Sequence, residues 1–150
     1  MLPDFTPQGF LPVPPPVYTA DWDEFVTRFG WTPRRKVLLD GIARVGDNLR
    51  SAGISVIWIA GSFVTSKDDP GDFDGVWDPR ALSFDPRKVD PILMDLNDLN
   101  NGRIKQKLKY GGELLAGSET KSGAAFQSFF QQSIDGTPKG IVRLRLRDIP

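Results

Sequence analysis

The sequence predicts an α/β or α+β fold: a small mixed β-sheet flanked by helices, with an extended proline-rich arm at the N-terminus. Helix and strand patterns follow one another in the order helix, helix, strand, strand, helix, strand, helix, strand. Six of the 13 prolines fall within residues 1–18, which favours an extended arm over a packed element. The 150 residues are enough for one core, so we expect a single domain over residues 19–150.

Composition limits the chemistry that the protein can perform. The chain has no cysteine and no histidine, which excludes disulfides, thiolate metal sites and serine–histidine triads. Lysine plus arginine equals aspartate plus glutamate at 19 each, so no net charge steers the chain toward nucleic acid or an anionic membrane. The chemistry that remains uses carboxylates, hydroxyls, Lys and Arg, or a hard metal ion bound by oxygen. The N-terminus lacks the regions of a signal peptide, and no stretch approaches a membrane span, so we expect a cytoplasmic protein.

Two helices are predicted before the first strand. The helix over residues 19–30 has Thr19 or Asp21 as its N-cap, and the helix over residues 32–53 has Thr32. In the second helix an apolar stripe at helical spacing should face the core, and the charged residues beside it should be solvated. The stripe consists of Val37, Leu38, Ile42, Val45 and Leu49, and the charged set consists of Arg34, Arg35, Asp40, Arg44 and Asp47.

Two strands follow these helices. The run "ISVIWIAG" is β-branched and aromatic without alternation, which is typical of a strand buried on both faces. The stretch "DFDGVWD" alternates and predicts a second strand, and "SKDDPG" is the loop between them.

The second half of the chain contains proline and turn signals between shorter helix and strand patterns. Pro86 and Pro91 allow helical starts, and Asn100-Asn101-Gly102 predicts a turn. The other predicted elements are a short strand at residues 110–117, a helix at residues 122–133 and a closing strand at residues 140–149.

Arginines alternate along the closing strand. Arg143, Arg145 and Arg147 share one face, and the favoured interpretation is the solvated face of an edge strand, where charge prevents unwanted strand pairing. The alternative is a contact with phosphates or an RNA backbone, although the balanced net charge does not favour RNA. Such a basic patch could be extended by Lys105, Lys107, Lys109 and Lys139.

The stretch after the first strand carries the candidate chemistry. Gly61 allows a close approach of the backbone to a ligand, and Ser62 adds a hydroxyl and an amide donor. Asp72 and Asp74 alternate on a strand, so their carboxylates point to one face and repel each other unless a cation lies between them. Mg²⁺ or Mn²⁺ would suit this oxygen pair, and the alternative is the solvated face of an edge strand.

The loop between these residues contains further polar side chains. Lys67 is a candidate phosphate contact or a solvated loop lysine. Asp68 and Asp69 precede Pro70 and Gly71 and are predicted to form a turn.

These residues carry a resemblance to a known superfamily. Nine residues separate the stretch "IAGS" from "DFD", which is followed by hydrophobic residues. This arrangement resembles the hG[GS]…[DE]h[DE] signature of the DNA polymerase β-like nucleotidyltransferases. The stretches "DEFVTRFG", "RRKVLLDGI", "KYGGELL" and "KGIVRL" are similar to a group of small, poorly characterised bacterial and phage nucleotidyltransferase-like proteins. The likeness covers roughly residues 10–147.

The resemblance implies a nucleotidyltransferase-like fold and a role for each motif residue. Gly61 and Ser62 would contact the triphosphate, and Asp72 and Asp74 would bind the metal ion. The superfamily places a third carboxylate on a neighbouring strand, where it helps to activate the attacking hydroxyl. Glu113 in "GGELL" is the best match for it, Asp95 in "LMDL" is the alternative, and the third carboxylate could also be missing.

The function implied is a metal-dependent transfer of an NMP from an NTP such as ATP to a hydroxyl acceptor. The acceptor could be a partner protein, because small members of the superfamily often act as antitoxins that nucleotidylate a cognate toxin. The alternative is a catalytically inactive binding module, or an antitoxin that acts by contact alone. A structural phage protein that docks through its proline arm is a third hypothesis.

Overall fold

The computed structural model describes residues 2–79, 84–94, 99–117 and 136–150. These residues form one mixed five-stranded sheet with helices packed on it, which confirms the predicted fold class. The strands are β1 (Val17–Ala20), β2 (Val56–Ala60), β3 (Phe73–Trp77), β4 (Gly112–Ala116) and β5 (Ile141–Arg145), and the helices are α1 (Trp22–Phe29), α2 (Pro33–Ser51) and α3 (Leu99–Tyr110).

The sheet has the strand order β1-β5-β2-β3-β4. Strand β2 is central and antiparallel to both β3 and β5, while β1 runs parallel to β5 and β4 runs parallel to β3. Ile57 and Ile59 point into the main core, whereas Trp58 and Ala60 form a small second cluster with Ile141 on the opposite face. The prediction that β2 is buried on both faces is therefore confirmed.

The N-terminal helices begin where local sequence signals place them. The Asp21 side chain accepts a hydrogen bond from the Glu24 amide, and the Thr32 side chain accepts one from the Arg35 amide. The predicted faces of α2 are wrong at two positions, because the Arg35 side chain is 0% exposed and Val37 is 59% exposed. Of the helices in the described segments, none combines the length and apolar character that crossing a membrane requires.

Helix α3 replaces the turn that the sequence predicts at Asn100-Asn101-Gly102. The helix runs through these residues and packs against α2 and β4. The modest helix propensity of Asn and Gly is a weak local signal that tertiary packing can override. Pro86 and Pro91 do begin short 3-10 turns, as predicted. Asp95 and the helix predicted at residues 122–133 lie outside the described residues.

Strand β1 changes the position of β5 in the sheet. The sequence assigns Val17 and Tyr18 to the arm, but in the structure they pair with Ile141 and Val142. Strand β5 is therefore flanked on both sides, so the prediction of an edge strand is wrong, whereas Arg145 and Arg147 are exposed to solvent as predicted. Arg143 is accordingly only partly exposed. Before β1, the arm contributes Leu11 to the main core, and the Leu11 carbonyl accepts a hydrogen bond from the Gly140 amide.

Candidate functional site

Parallel pairing of β3 with β4 brings two acidic side chains together. Asp74 and Glu113 are partners in the register, and their side chains share a hydrogen bond. Phe73 on β3 and Leu114 on β4 point into the main core, so by strand alternation both acids point to the opposite face of the sheet. Glu113 is only 5% exposed. The structure thus places Glu113, the favoured candidate for the third carboxylate, directly beside Asp74.

The protonation of Asp74 reflects this crowded environment. Burial, followed by the negative charges of Asp72 and Glu113, raises the pKa of Asp74 from 3.8 to about 6, and the ammonium group of Lys107 opposes the shift. The hydrogen bond with Glu113 acts in the same direction as burial, because it needs a proton on one of the two carboxyl groups. Asp74 therefore holds a proton more readily than an isolated aspartate does.

Asp72 lies just before β3 and forms an ion pair with α3. The Lys107 Nζ atom is 3.1 Å from Asp72 Oδ2, and the two side chains are 45% and 31% exposed. The hydrogen bond to Asp72 raises the pKa of Lys107, and the charges of Asp72, Glu113 and Asp74 add to this effect. Lys107 thus experiences all three members of the acidic cluster, which we define as Asp72, Asp74 and Glu113.

Gly61 packs against the acidic cluster from the end of β2. It begins a short 3-10 turn over Gly61–Val64 with a φ of 70°, a value that disfavours every residue with a side chain. A Cβ atom at this position would lie 2.6 Å from Asp74 Oδ2. The expected close approach at Gly61 is therefore made to Asp74. Ser62, the next residue, is partly exposed, and its carbonyl accepts a hydrogen bond from the Thr65 hydroxyl at 2.6 Å.

A buried arginine fixes the loop that follows. The Arg35 guanidinium donates to the carbonyls of Phe63 and Thr65 at 2.7 Å each, and to the carbonyl of Lys67 at 2.7 and 3.0 Å. It also donates to the Phe29 carbonyl in the last turn of α1 at 3.1 Å. The backbone of Lys67 is therefore held, while its side chain is exposed to solvent. The sequence predicted Arg35 to be solvated because its spacing places it off the apolar stripe, and no local signal distinguishes it from Arg34.

The N-terminus of α2 also binds the loop before Asp72. The Asp68 side chain accepts a hydrogen bond from Trp31 Nε1 at 2.9 Å, and the Asp68 carbonyl accepts one from the Thr32 hydroxyl at 2.8 Å. Arg34 donates to the carbonyl of Gly71. Asp68 thus connects the loop to α2, and this anchors the chain on which Asp72 lies.

A second lysine approaches the acidic cluster from the segment before β5. Lys139 is partly buried; burial lowers its pKa, and the charge of Asp74 opposes this effect. Its Nζ atom lies 5.8 Å from the centroid of the Phe10 ring in the arm. The sequence placed Lys107 and Lys139 in a possible basic patch with Arg143, Arg145 and Arg147 but gave no reason to connect them to the aspartates, because only the folded chain brings them there.

The acidic cluster offers the oxygen chemistry that Mg²⁺ or Mn²⁺ prefers. A hard cation can bind the carboxylate oxygens of Asp74 and Glu113, so this pair fits two ligand positions. As the side chains stand, no group of three Asp, Glu, His or Cys side chains within the described segments is arranged to hold a metal ion. Asp72 is paired with Lys107 and can serve as a third ligand only after leaving that lysine.

The chain belongs to a family of unknown function, DUF6932, whose family model matches residues 3–145. The match runs from the arm to the last residue of β5 and so includes the acidic cluster, Gly61 and Ser62. No curated protein and no solved structure matches the chain. Family membership therefore covers the whole sheet and assigns no activity to it.

Proposed function

We propose that the protein is a metal-dependent nucleotidyltransferase that moves an NMP from an NTP to a hydroxyl acceptor. The observation that supports this most strongly is the pairing of Asp74 with Glu113 across β3 and β4, with Asp72 next to them. The resemblance of the glycine–serine and Asp-Phe-Asp motifs to the DNA polymerase β-like superfamily supports the same function. Carboxylates of this kind suit phosphoryl chemistry, which requires no histidine.

Each member of the acidic cluster has a distinct role in this proposal. Asp74 and Glu113, joined by Asp72 once it leaves Lys107, would hold a divalent cation, which supplies charge neutralisation at the α-phosphate and the pyrophosphate. Glu113 receives the proton of the acceptor hydroxyl, which is the role that the resemblance implies for the third carboxylate. The acceptor oxygen then forms a bond to the α-phosphorus, the bond from that phosphorus to the bridging oxygen breaks, and pyrophosphate leaves.

The phosphate groups would be bound by residues at the end of β2, in the loop that follows and in the segment before β5. Gly61 and Ser62 contribute the turn at the end of β2, and Lys67 contributes an exposed ammonium group from the loop fixed by Arg35. Lys139 adds a partly buried ammonium group close to Asp74. Anionic groups for the metal ion and cationic groups for the phosphates suit a metal–triphosphate complex, which carries both kinds of charge.

A partner protein such as a toxin is the acceptor that we favour, because the motifs resemble a superfamily whose small members often nucleotidylate a cognate toxin. RNA is a weaker candidate, since the net charge of the chain is zero. The cytoplasm supplies both nucleoside triphosphates and Mg²⁺, and it is the compartment that this proposal implies.

A second candidate function is a catalytically inactive binding module, or an antitoxin that acts by contact. The ion pair between Lys107 and Asp72 favours it, because an ammonium group takes the place beside Asp72 that a metal ion would need. In this alternative the protein binds the triphosphate but transfers no NMP.

The test is transfer of an α-³²P label from each of the four NTPs in the presence of Mg²⁺ or Mn²⁺. The acceptors are the protein itself and the proteins that co-purify with it. Asp74→Asn and Glu113→Gln should each reduce transfer by roughly 10²-fold or more, because each removes a carboxylate that the proposal assigns to the divalent cation. The matched control is Asp69→Asn, an exposed acid in the preceding loop, which should leave transfer unchanged.

Two outcomes separate the candidate functions. Transfer that survives both substitutions in the acidic cluster would refute the proposed site. Binding of NTP without transfer to any of these acceptors would support the inactive binding module.

A further inference from the structure

We propose that Lys107 couples binding of the divalent cation to binding of the triphosphate, because its ammonium group stays on Asp72 until a phosphate accepts it. Lys107 thereby acts as a positioning residue that withholds one metal ligand from the acidic cluster in the absence of nucleotide. This inference rests on the proposed function and specifies how its two ligands depend on each other.

The backbone of α3 is fixed close to the acidic cluster. Gln106, next to Lys107, is buried and accepts a hydrogen bond from the Leu114 amide of β4 at 2.8 Å. One turn further on, the Tyr110 hydroxyl donates to Asp90 at 2.6 Å. The Cα atom of Lys107 is therefore held in place by neighbours on both sides.

The side chain of Lys107 is free to reorient although its backbone is held. It is 45% exposed, and it reaches Asp72 through a flexible four-carbon stem with its Nζ atom 3.1 Å from Oδ2. Leaving Asp72 requires no change in the core, because Asp72 is itself partly exposed. An ion pair of this exposure favours the bound arrangement only by a few-fold, so it can be exchanged by a competing ligand.

The competition differs between the free cation and the cation–nucleotide complex. A cation that arrives alone must displace the ammonium group from Asp72 and leaves it without a partner. A triphosphate that arrives with the cation offers its oxygens to that ammonium group, so the exchange conserves the number of charge pairs. The cation thus binds more tightly when the triphosphate is present, and by linkage the triphosphate gains the same factor from the cation.

Lys107→Met tests the competition directly, because Met keeps the length and helix propensity of the side chain and removes its charge. Mn²⁺ binding to the nucleotide-free protein, measured by electron paramagnetic resonance, should become roughly two- to fivefold tighter in this variant. The affinity for α,β-methylene ATP is then measured with saturating Mn²⁺ and with EDTA. The affinity with Mn²⁺ divided by the affinity with EDTA should be roughly two- to fivefold smaller in the variant than in the unsubstituted protein.

Two further variants serve as controls. Lys109→Met removes a charge from the same helix that is paired with Asp90, away from the acidic cluster, and should change neither quantity. Lys107→Arg keeps the charge next to Asp72 and should retain most of the coupling.

The outcomes distinguish this inference from the proposed function. If Lys107→Met tightens Mn²⁺ binding equally with and without nucleotide, Lys107 acts only as a nearby positive charge that repels the cation, and the coupling role is wrong. If Mn²⁺ affinity does not change, the inference is also wrong, while the proposed nucleotidyltransferase stands. If the unsubstituted protein binds neither Mn²⁺ nor the ATP analogue, the proposed function fails and this inference fails with it.

Discussion

The metal-free protein is expected to lose stability as the pH rises from about 4 to about 7, and Asp74 should account for much of the loss. The pKa of this carboxyl is 3.8 as a reference and about 6 in the folded chain. Between these values the folded state binds a proton that the unfolded state has released. The free energy of unfolding therefore decreases with pH through this range and levels off above pH 6.

The size of the effect follows from the same two values. A difference of about 2 pKa units, from 3.8 to about 6, corresponds to about 3 kcal/mol as an upper limit. Asp74 is partly exposed, so we expect a change of about 1–3 kcal/mol between pH 4 and pH 7. Other titrating groups also make the free energy of unfolding depend on pH. Comparison with a variant at Asp74 removes their contribution.

The assay is urea denaturation in EDTA at several pH values between 4 and 8, with Asp74→Asn beside the unsubstituted protein. Asparagine is neutral at every pH and can still donate a hydrogen bond to Glu113. The stability of the variant relative to the unsubstituted protein should increase by about 1–3 kcal/mol as the pH rises from 4 to 7. Asp40→Asn, at an exposed site on α2, is the control for removal of a carboxylate.

Adding Mn²⁺ should reverse the sign of this dependence, because the cation requires the ionised form of Asp74 and binds only to the folded state. A difference between the Asp74→Asn variant and the unsubstituted protein that stays constant from pH 4 to pH 7 would refute the assignment of a raised pKa to Asp74.

Two further substitutions test the backbone that supports the acidic cluster. Gly61→Ala should lower the free energy of unfolding by about 1–3 kcal/mol and weaken nucleotide binding, because the new Cβ atom would combine a positive φ with a contact of 2.6 Å to Asp74. Gly71→Ala is the control, since its Cβ atom would meet nothing within 4 Å. Equal effects in the two variants would contradict this explanation. Arg35→Met should lower the free energy of unfolding by about 3–5 kcal/mol, because it leaves buried carbonyls without a donor, whereas Arg34→Met should cost about 1 kcal/mol or less. Thermal or urea unfolding measures both pairs, and a small loss in Arg35→Met would show that the loop does not depend on this guanidinium.

Local signals were sufficient for the elements that depend on a few neighbouring residues. Thr32 caps α2, and the β-branched run from Val56 to Ala60 forms the central strand, because both features follow from short-range geometry. The turn predicted at Asn100-Asn101-Gly102 is wrong for the complementary reason. Its local propensity is weak, and packing of α3 on α2 and β4 decides the conformation.

Two features of the site could be predicted from the sequence alone: Gly61 directly after β2, and Asp72 and Asp74 on either side of Phe73. Strand alternation and glycine backbone geometry are local properties, so both features can be read from neighbouring residues. Which groups contact these aspartates depends on how the chain folds. Glu113 reaches Asp74 through the parallel register of β3 and β4, and Lys107 reaches Asp72 because α3 packs beside β4. Such contacts join segments far apart in the chain, and no spacing within one segment encodes them.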